Sequence, residues 1–254
     1  MTRVHAVIDE LFDSSVSRDS FRRSAISKEE GTFLERLAAK SGITRTIEVG
    51  CANAVSSLYI CAGLTGKAGA SHIAIDPFQR TDFQMRGVDN VRRAGVDFFR
   101  LIEEPSEIAL PDLLKSGAAF DMAFIDGLHT LDQTMLDFYY LDRMLTVGGI
   151  VVLDDMNHRA VNRVAHYVVK YPNYEFIGNC GTCGSRRRAL NVLKRVISTA
   201  AWPARKLLSE VALRELVDDS ILHADLLNRI DNCTMAAFRK TGIFKRDTDW
   251  YHGI

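Results

Sequence analysis

Residues 120–126 read Phe-Asp-Met-Ala-Phe-Ile-Asp, and residues 148–155 read Gly-Gly-Ile-Val-Val-Leu-Asp-Asp. Each stretch contains an apolar run of the length of a buried strand and ends in carboxylates. Between them, residues 131–145 carry apolar side chains at helical spacing, and Gly148-Gly149 indicates a turn. A strand, a helix and a strand in this order predict a right-handed βαβ unit with parallel strands. The carboxylates then lie at the carboxyl ends of the strands, where open α/β sheets bind ligands.

The same alternation continues on both sides of this unit. Further strands are predicted at residues 46–49, 72–76, 97–102, 174–177 and 234–239, and helices at residues 56–64, 86–94 and 162–170. Residues 1–26 have a loosely specified helical pattern. Ser27 and Glu30 form a capping-box pattern for a helix that Gly42 ends. The predicted fold class is therefore α/β, a doubly wound, Rossmann-like, seven-stranded and mostly parallel sheet with helices on both faces.

A long connection separates the last two predicted strands. Residues 185–206 hold seven basic residues and no acidic one, whereas residues 210–231 are predominantly acidic. We expect a helical insertion at residues 185–231, acting as a lid, a dimer arm or a surface-binding element, beside a main domain of residues 1–184 and 232–254. The favoured interpretation is a pair of oppositely charged helices that pack together. A basic surface for an acidic membrane or an anionic substrate is the alternative, and homo-oligomerisation stays open.

The composition is that of an ordinary globular protein. The 254 residues include 32 basic and 32 acidic residues, and 47% are hydrophobic. Balanced charge argues against a nucleic-acid partner, and no stretch approaches the roughly 18 apolar residues of a transmembrane helix. Residues 1–12 lack the apolar segment of a secretory signal. Five scattered cysteines, including an incidental Cys180/Cys183 pair, are expected to be reduced thiols, which predicts a cytoplasmic location.

The first predicted strand ends in a turn suited to a cofactor. Gly50 permits a tight turn and the close approach of a ligand, and the next helix presents free N–H groups. The two further glycines of the usual dinucleotide fingerprint are replaced by Ala52 and Ala54, whose methyl groups would crowd a pyrophosphate. One βα unit later, Asp76 can accept hydrogen bonds from both ribose hydroxyls of an adenosine. An ordinary βα turn, and a turn-forming Asp before Pro77, are the alternatives.

In their order along the chain, these motifs resemble the class I S-adenosylmethionine-dependent methyltransferases. Glu48-Val-Gly50, Asp76, Phe124-Ile-Asp-Gly127 and the 148–155 segment carry the resemblance. More narrowly, they are similar to the metal-dependent O-methyltransferases, namely the catechol and caffeoyl-coenzyme A enzymes and the macrolide-sugar branch. The resemblance begins near residue 26, where residues 26–34 resemble the leader helix of that group. It runs to residue 178 and resumes at residues 234–240.

The resemblance implies a role for each matching position. Glu48, Gly50 and Ser56 would border the methionine end of the cofactor, Asp76 would hold its ribose, and Ser106 would lie near its adenine. Asp126, Asp154 and Asp155 would be the metal ligands, and Asp126 would also border the cofactor.

The metal assignment also has a physical basis. Three carboxylates at one rim repel each other, and a hard divalent cation, Mg²⁺ above all, relieves that repulsion. The catechol enzymes have an amide as their third ligand, so Asp155 favours the macrolide-sugar branch. The alternative is that Asp154, Asp155 or Asn157 merely caps the next helix.

His129 stands where the catechol enzymes place a lysine, three residues after the first ligand. A neutral imidazole can take a proton from a hydroxyl, so His129 is predicted to be the catalytic base. A surface histidine at a helix start is the alternative. The expected function is transfer of a methyl group from S-adenosylmethionine, with Mg²⁺, to a hydroxyl of a small molecule or sugar. A nucleotide- or NAD-dependent sugar-modifying enzyme and a noncatalytic binding module of the same fold stay open.

Overall fold

The computed structural model describes residues 2–13, 25–182 and 224–244. Its helices are α1 (Arg3–Asp13), α2 (Lys28–Ala38), α3 (Val55–Leu64), α4 (Arg86–Arg93), α5 (Ser106–Lys115), α6 (Leu131–Met144), α7 (Arg159–Lys170) and α8 (Ala224–Asp231). Its strands are β1 (Arg45–Val49), β2 (Ser71–Ile75), β3 (Phe99–Ile102), β4 (Phe120–Ile125), β5 (Leu145–Leu153), β6 (Tyr174–Cys180) and β7 (Met235–Lys240).

The seven strands form one sheet in the order β3-β2-β1-β4-β5-β7-β6. The first five pair in parallel, whereas β7 runs antiparallel to both β5 and β6. The strand order reverses between β1 and β4, which opens a crevice at the carboxyl ends of these two strands. The predicted doubly wound, mostly parallel α/β sheet is confirmed.

Each face of the sheet carries its own hydrophobic core. On one face, α1 to α4 contribute Val4, Leu34, Leu58 and Val91 to a core with Met122, Phe124 and Val152 of the sheet. On the other face, α5 to α8 contribute Leu110, Phe138, Val164 and Ile230 to a core with Ile47, Ala123 and Val151. Residues of both faces alternate along β4 because successive side chains of a strand point to opposite sides.

The predicted capping box begins α2. The Ser27 side chain accepts a hydrogen bond from the Glu30 N–H at 3.2 Å, and Glu30 Oε2 accepts from the Ser27 N–H at 2.8 Å. The other Glu30 oxygen accepts a hydrogen bond from the Thr234 hydroxyl, immediately before β7. The leader helix is therefore fixed to the sheet edge beside the crevice.

Two local features differ from the sequence-based expectations. β5 begins at Leu145, and Gly148-Gly149 lies inside it at an irregularity of the β4–β5 pairing rather than in a turn before it. Helix α5 was not predicted, although Ala109, Leu110 and Leu113 are buried at helical spacing, because Pro111 interrupts its interior.

The expected insertion lies largely outside the described residues. Of the elements that the structure describes, only α8 falls within the 185–231 segment, so the helical insertion and the two-part domain division stay predictions. Cys180 is buried with a free thiol, and Cys183 lies outside the described part of the chain. Within the described ranges, no helix has the length and apolar character needed to cross a membrane.

Candidate functional site

A cavity of about 640 Å³ opens at the carboxyl ends of β1, β2, β4 and β5. Its volume is in the range of small-molecule and cofactor sites, and its position is the topological switch point of the sheet. The loops that follow the four strands supply most of the wall, and the start of α2 and the start of α5 complete it. Of the predicted site residues, the wall includes Gly50, Ser56, Asp76, Ser106, Asp126, His129, Asp154 and Asp155.

Gly50 allows the ends of β1 and β4 to approach each other. Its φ is +91°, in the left-handed region, and a Cβ at this position would overlap the backbone carbonyl oxygen of Asp126. A side chain is therefore excluded both by the backbone conformation and by contact with fixed backbone atoms.

The alanines after Gly50 adopt the conformation that glycine usually supplies. Ala52 and Ala54 have φ of 46° and 62°, which L-residues seldom adopt. The carboxylate of Asp76 holds this turn. Its Oδ2 accepts hydrogen bonds from the N–H of Cys51 at 3.1 Å, the N–H of Ala52 at 2.7 Å and the side-chain amide of Gln79 at 3.0 Å.

Asp76 has little hydrogen-bonding capacity left. It is 4% exposed, and its other oxygen, Oδ1, accepts from the N–H of Phe78 at 2.8 Å. Because a carboxylate oxygen accepts about two hydrogen bonds, Oδ1 can take one more donor. The structure thus leaves room for one ribose hydroxyl, where the sequence predicted both.

The opposite rim, at the ends of β4 and β5, brings charged groups together. His129 Nε2 lies 2.8 Å from Asp155 Oδ2 and 3.6 Å from Asp126 Oδ1. Asp154 is buried beside them, and its Oδ1 accepts the N–H of Asp155 at 2.8 Å. Asp155 has a φ of 52°, a left-handed backbone conformation that aspartate adopts more readily than most residues.

These contacts shift the pKa values of the rim in opposite directions. Burial raises the pKa of Asp126 to about 6 and that of Asp154 well above its usual value. The hydrogen-bonding contact with His129 lowers the pKa of Asp155. Contacts with Asp126 and Asp155 raise the pKa of His129 to about 10. His129 is therefore a cation at neutral pH in this arrangement.

His158 also belongs to this rim, and the sequence analysis did not identify it. Its ring centroid lies 4.7 Å from that of His129. One ligand atom from each of His129, Asp155 and His158 lies within 4.8 Å of the others, whereas Asp126, Asp154 and Asp155 form no such group among the described residues. A repeated spacing could have revealed it, since an Asp is followed by a His three residues later after both β4 and β5.

Neither Asp154 nor Asp155 caps the next helix. The N-cap of α7 is His158, which makes no side-chain capping hydrogen bond. The capping alternative for the two aspartates is therefore wrong. His129 is likewise not a free surface histidine, because its side chain is 35% exposed and faces two carboxylates.

Comparisons with known proteins agree with this geometry. A family model described as "Methyltransferase domain" matches residues 47–156. The catechol O-methyltransferase of Mycobacterium tuberculosis (strain ATCC 25618 / H37Rv) is 27% identical over 135 residues, which are 53% of this chain and 58% of that relative. The match thus spans less than two thirds of the relative's length.

Solved structures share the fold. An O-methyltransferase from Bacillus cereus in complex with SAH has a TM-score of 0.57 and 15% identity, over 69% of this chain and 82% of that one. The O-methyltransferase TomG from Streptomyces achromogenes, in complex with SAM, has a TM-score of 0.54 and 20% identity, over 69% and 81%.

The region that matches the methyltransferase model contains β2 to β5 and most of β1. The resemblance to class I S-adenosylmethionine-dependent methyltransferases that the sequence indicated is confirmed. The cavity, the Asp76-held turn and the charged rim all lie at the ends of strands within this matched region or immediately beside it.

Glu48 does not reach the cavity. It is fully buried on the α3 side of the sheet, where it accepts a hydrogen bond from the Ser57 hydroxyl and lies 3.3 Å from His72 Nε2. The alternation of side chains along β1 places Glu48 on the same face as Thr46 and His72, away from the cavity wall. The expectation that Glu48 borders a cofactor is therefore not met by its position.

Ser106 lines the cavity at the start of α5. Its hydroxyl donates to Asp137 Oδ1 at 2.7 Å and accepts from the Gln133 side chain at 2.8 Å. Asp137 is fully buried, and burial raises its pKa to about 6. Ser106 therefore retains one accepting position for a ligand. Gln133 and Glu107 also line the cavity, and the sequence analysis did not identify either as a site residue.

Proposed function

We propose that this chain is an S-adenosylmethionine-dependent O-methyltransferase that acts on a hydroxyl of a small molecule or sugar. The observation that carries the proposal is the charge of the cavity wall. Among the described residues it contains six acidic side chains and neither lysine nor arginine. They are Glu30, Asp76, Glu107, Asp126, Asp154 and Asp155.

A wall of this charge suits a cationic cofactor. S-adenosylmethionine carries a sulfonium and an ammonium group, and an acidic cleft concentrates ligands of positive charge. A pyrophosphate would instead meet like charge here, and the described wall has no lysine or arginine to pair with it. Its cationic side chain, His129, already faces Asp126 and Asp155. The wall therefore favours this cofactor over NAD or a nucleotide sugar, and it disfavours an anionic acceptor.

The proposed cofactor would lie across the ends of β1 and β2. The N terminus of α3, where Val55 and Ser56 line the cavity, offers N–H groups to its carboxylate. Asp76 would accept one ribose hydroxyl, and Ser106 would lie near the adenine. Gly50 and Asp126 would border the methionine end. The acceptor hydroxyl would approach from the rim formed by the loops after β4 and β5.

The metal that the resemblance implies does not fit as predicted. Mg²⁺ prefers oxygen ligands in near-octahedral geometry. Among the described residues, the closely grouped ligand atoms are two imidazoles and one carboxylate rather than three carboxylates. No step of the proposed reaction is therefore assigned to Mg²⁺. The predicted base faces a similar difficulty, because a His129 imidazole with a pKa of about 10 is already protonated at neutral pH.

Direct methyl transfer needs orientation more than acid catalysis. The sulfonium is a good leaving group without protonation, so the wall residues act mainly by aligning the acceptor oxygen with the methyl carbon and by excluding water. In this arrangement the protonated His129 can donate a hydrogen bond to the acceptor oxygen and hold it at the rim. Transfer of the methyl group releases the proton of the acceptor hydroxyl, and the carboxylate of Asp126 in the same cavity wall would accept it.

Calorimetry on the full chain tests the proposal. S-adenosylhomocysteine and NAD⁺ are titrated separately in the presence of EDTA, and we expect binding of the former only. Asp76→Asn should weaken this binding by about tenfold or more, because the amide cannot accept all the turn's hydrogen bonds. Asp89→Asn, an exposed aspartate of α4 paired with Arg92, is the matched control and should bind normally.

Each contrary result favours a different function. Tighter binding of NAD⁺ than of S-adenosylhomocysteine would favour the nucleotide-dependent enzyme. Binding of neither compound would favour a noncatalytic module. If S-adenosylhomocysteine binds, radiolabelled methyl transfer to a panel of diols and sugars identifies the acceptor class.

A further inference from the structure

The same short pattern follows two neighbouring strands. Asp126-Gly-Leu-His129 follows β4, and Asp155-Met-Asn-His158 follows β5. β4 and β5 are paired in parallel, with Ile125 opposite Leu153, so both patterns begin at the same edge of the sheet. Two aspartates and two histidines therefore converge on one rim of the cavity.

The backbone after β5 brings His158 back towards the rim. Asp155 adopts a left-handed conformation, and its carbonyl oxygen accepts the N–H of His158 at 2.8 Å. This tight turn sets the His158 ring 4.7 Å from the His129 ring, with 36° between their planes. A left-handed non-glycine residue carries strain of about 1 kcal/mol or more, and such strain is often found at functional sites.

His129 and Asp155 are in contact, but in poor geometry for a hydrogen bond. His129 Nε2 lies 2.8 Å from Asp155 Oδ2, yet this buried nitrogen has no hydrogen-bond partner among the described residues. Poor mutual geometry leaves the nitrogen and the oxygen available to a third group. Neighbouring ligands of a metal ion with bonds of about 2.1 Å lie about 3.0 Å apart in octahedral geometry and about 3.4 Å apart in tetrahedral geometry. The His129 nitrogen and the Asp155 oxygen would therefore need to separate by about half an ångström to bind one ion.

We propose that His129, Asp155 and His158 bind a borderline first-row divalent cation of the Zn²⁺ class in preference to Mg²⁺. Imidazole nitrogens favour zinc and its neighbours, whereas Mg²⁺ selects carboxylate, carbonyl and water oxygens. Two histidines and one carboxylate leave at least one coordination position open, as in catalytic zinc sites. His129 and Asp155 line the cavity, so that position faces the space where an acceptor hydroxyl would lie.

The proposal does not depend on methyl transfer. It predicts a metal-binding equilibrium of the protein alone, and it gives His129 the role of a ligand in place of a base. Because only a neutral imidazole binds a metal, binding releases the proton that His129 carries in the metal-free protein. Asp126 lies 3.6 Å from His129 Nε2 and adds negative charge that attracts the cation.

Co²⁺ serves as the spectroscopic probe for this site. The full chain, with any affinity tag removed, is titrated with Co²⁺ while the visible d–d absorption is recorded. We expect one Co²⁺ per chain, displaced by an equimolar amount of Zn²⁺ and retained in a thousandfold excess of Mg²⁺. Displacement by Mg²⁺ at concentrations similar to those of Zn²⁺, or no Co²⁺ binding, would overturn the proposal.

Single variants separate this site from the three-carboxylate site. His158→Ala should weaken Co²⁺ binding at least tenfold and change the absorption spectrum, and it is expected to fold because His158 is exposed. His129→Ala should behave in the same way. His5→Ala, a histidine of α1 paired with Glu35, is the matched control and should bind Co²⁺ normally.

Asp154→Ala supplies the decisive contrast. Loss of binding in Asp154→Ala with normal binding in His158→Ala would overturn the proposal and favour the carboxylate site. Loss in His158→Ala supports it, whether or not Asp154→Ala also binds less tightly. Circular dichroism of each variant establishes that a loss of binding is not a loss of fold. The titration of S-adenosylhomocysteine in EDTA is independent, so either proposal can fail without the other.

Discussion

Asp121 and Asp126 lie at opposite ends of β4, and they differ in the groups that surround their carboxylates. Asp121, at the amino end of β4, has both oxygens occupied. The N–H groups of Thr44 and Arg45 donate to Oδ2 at 3.2 and 3.0 Å, and the Arg45 guanidinium donates to Oδ1 at 2.9 Å. Burial would raise the pKa of this carboxyl, but the bonds from Arg45 and Thr44 lower it to about 2.

Asp126, at the carboxyl end of the same strand, has the opposite environment. Burial raises its pKa to about 6, and the Asp155 carboxylate adds to the rise, while His129 opposes it. No arginine or lysine of the described wall pairs with it. The hydrogen bonds to Asp121 at the amino end of β4 therefore stabilise the fold. At the carboxyl end, the negative charge of Asp126 and Asp155 is available for a ligand to neutralise.

The contrast between the two ends of β4 leads to four predictions. The largest effect is expected where the carboxyl ends of β1 and β4 meet. Gly50→Ala places a Cβ against the Asp126 carbonyl, so it should lower the free energy of unfolding by at least about 3 kcal/mol. Gly66→Ala is the control, because Gly66 also has a positive φ of 79° but open space around it. It should cost only about 1 kcal/mol. Urea unfolding of both variants checks this, and equal losses would contradict the steric explanation.

Asp137→Asn tests whether buried acids on the carboxyl side destabilise the fold without any metal. Asp137 has a folded-state pKa of about 6 against 3.8 for an ordinary aspartate, so the native protein loses stability as the pH rises between these values. The neutral amide should raise the free energy of unfolding by about 2 kcal/mol above pH 6. The gain should shrink towards pH 4. Urea unfolding across this range measures it, with exposed Asp112→Asn as the control.

A gain that does not change with pH would contradict the electrostatic cause. It would assign the effect of Asp137→Asn to packing beside Ser106 instead.

Asp121→Asn should have the opposite sign. The lowered pKa means that the ionised carboxylate stabilises the fold fully above pH 3.8, and that this contribution is lost as the pH falls towards 2. Because Arg45 is half exposed and screened by water, we expect a loss of about 1 kcal/mol near neutral pH. Thermal unfolding of wild type and variant should converge in acid. A difference that persists at the lowest pH would contradict the assignment.

The smallest effect is expected in the cofactor turn. Ala54→Gly removes the strain of a left-handed alanine but adds backbone freedom to the unfolded chain, so the two terms should cancel to within about 0.5 kcal/mol. Differential scanning calorimetry measures the change. A loss above about 1.5 kcal/mol would mean that the buried Ala54 methyl group contributes packing that outweighs its strain.

Several parts of the candidate site could be read from the sequence. Gly50, Asp76 and Asp126 were expected at the ends of predicted strands, and each lines the cavity. The position of Glu48 was also readable, since the alternation along β1 assigns it to the face of Thr46. The resemblance to the family implied a cofactor contact for Glu48, whereas the alternation of side chains along β1 predicts a position away from the cavity.

Other parts depended on contacts between distant segments. The four hydrogen-bond donors to Asp76 come from residues up to 25 positions away, and no local pattern predicts that they use up most of its capacity. His158 joins His129 only because β4 and β5 are neighbours and because Asp155 adopts a left-handed conformation.

The sequence by itself determined the order of the strands, the capping box of α2 and the position of acidic residues at the carboxyl edge of the sheet. These features follow from periodicity and local backbone chemistry, which act over a few residues. Only the tertiary structure decided which of those acids accept several hydrogen bonds, as Asp76 does, and which lie close to another carboxylate, as Asp126 and Asp155 do. That difference depends on burial and on donors from other strands, which exist only once the sheet has formed.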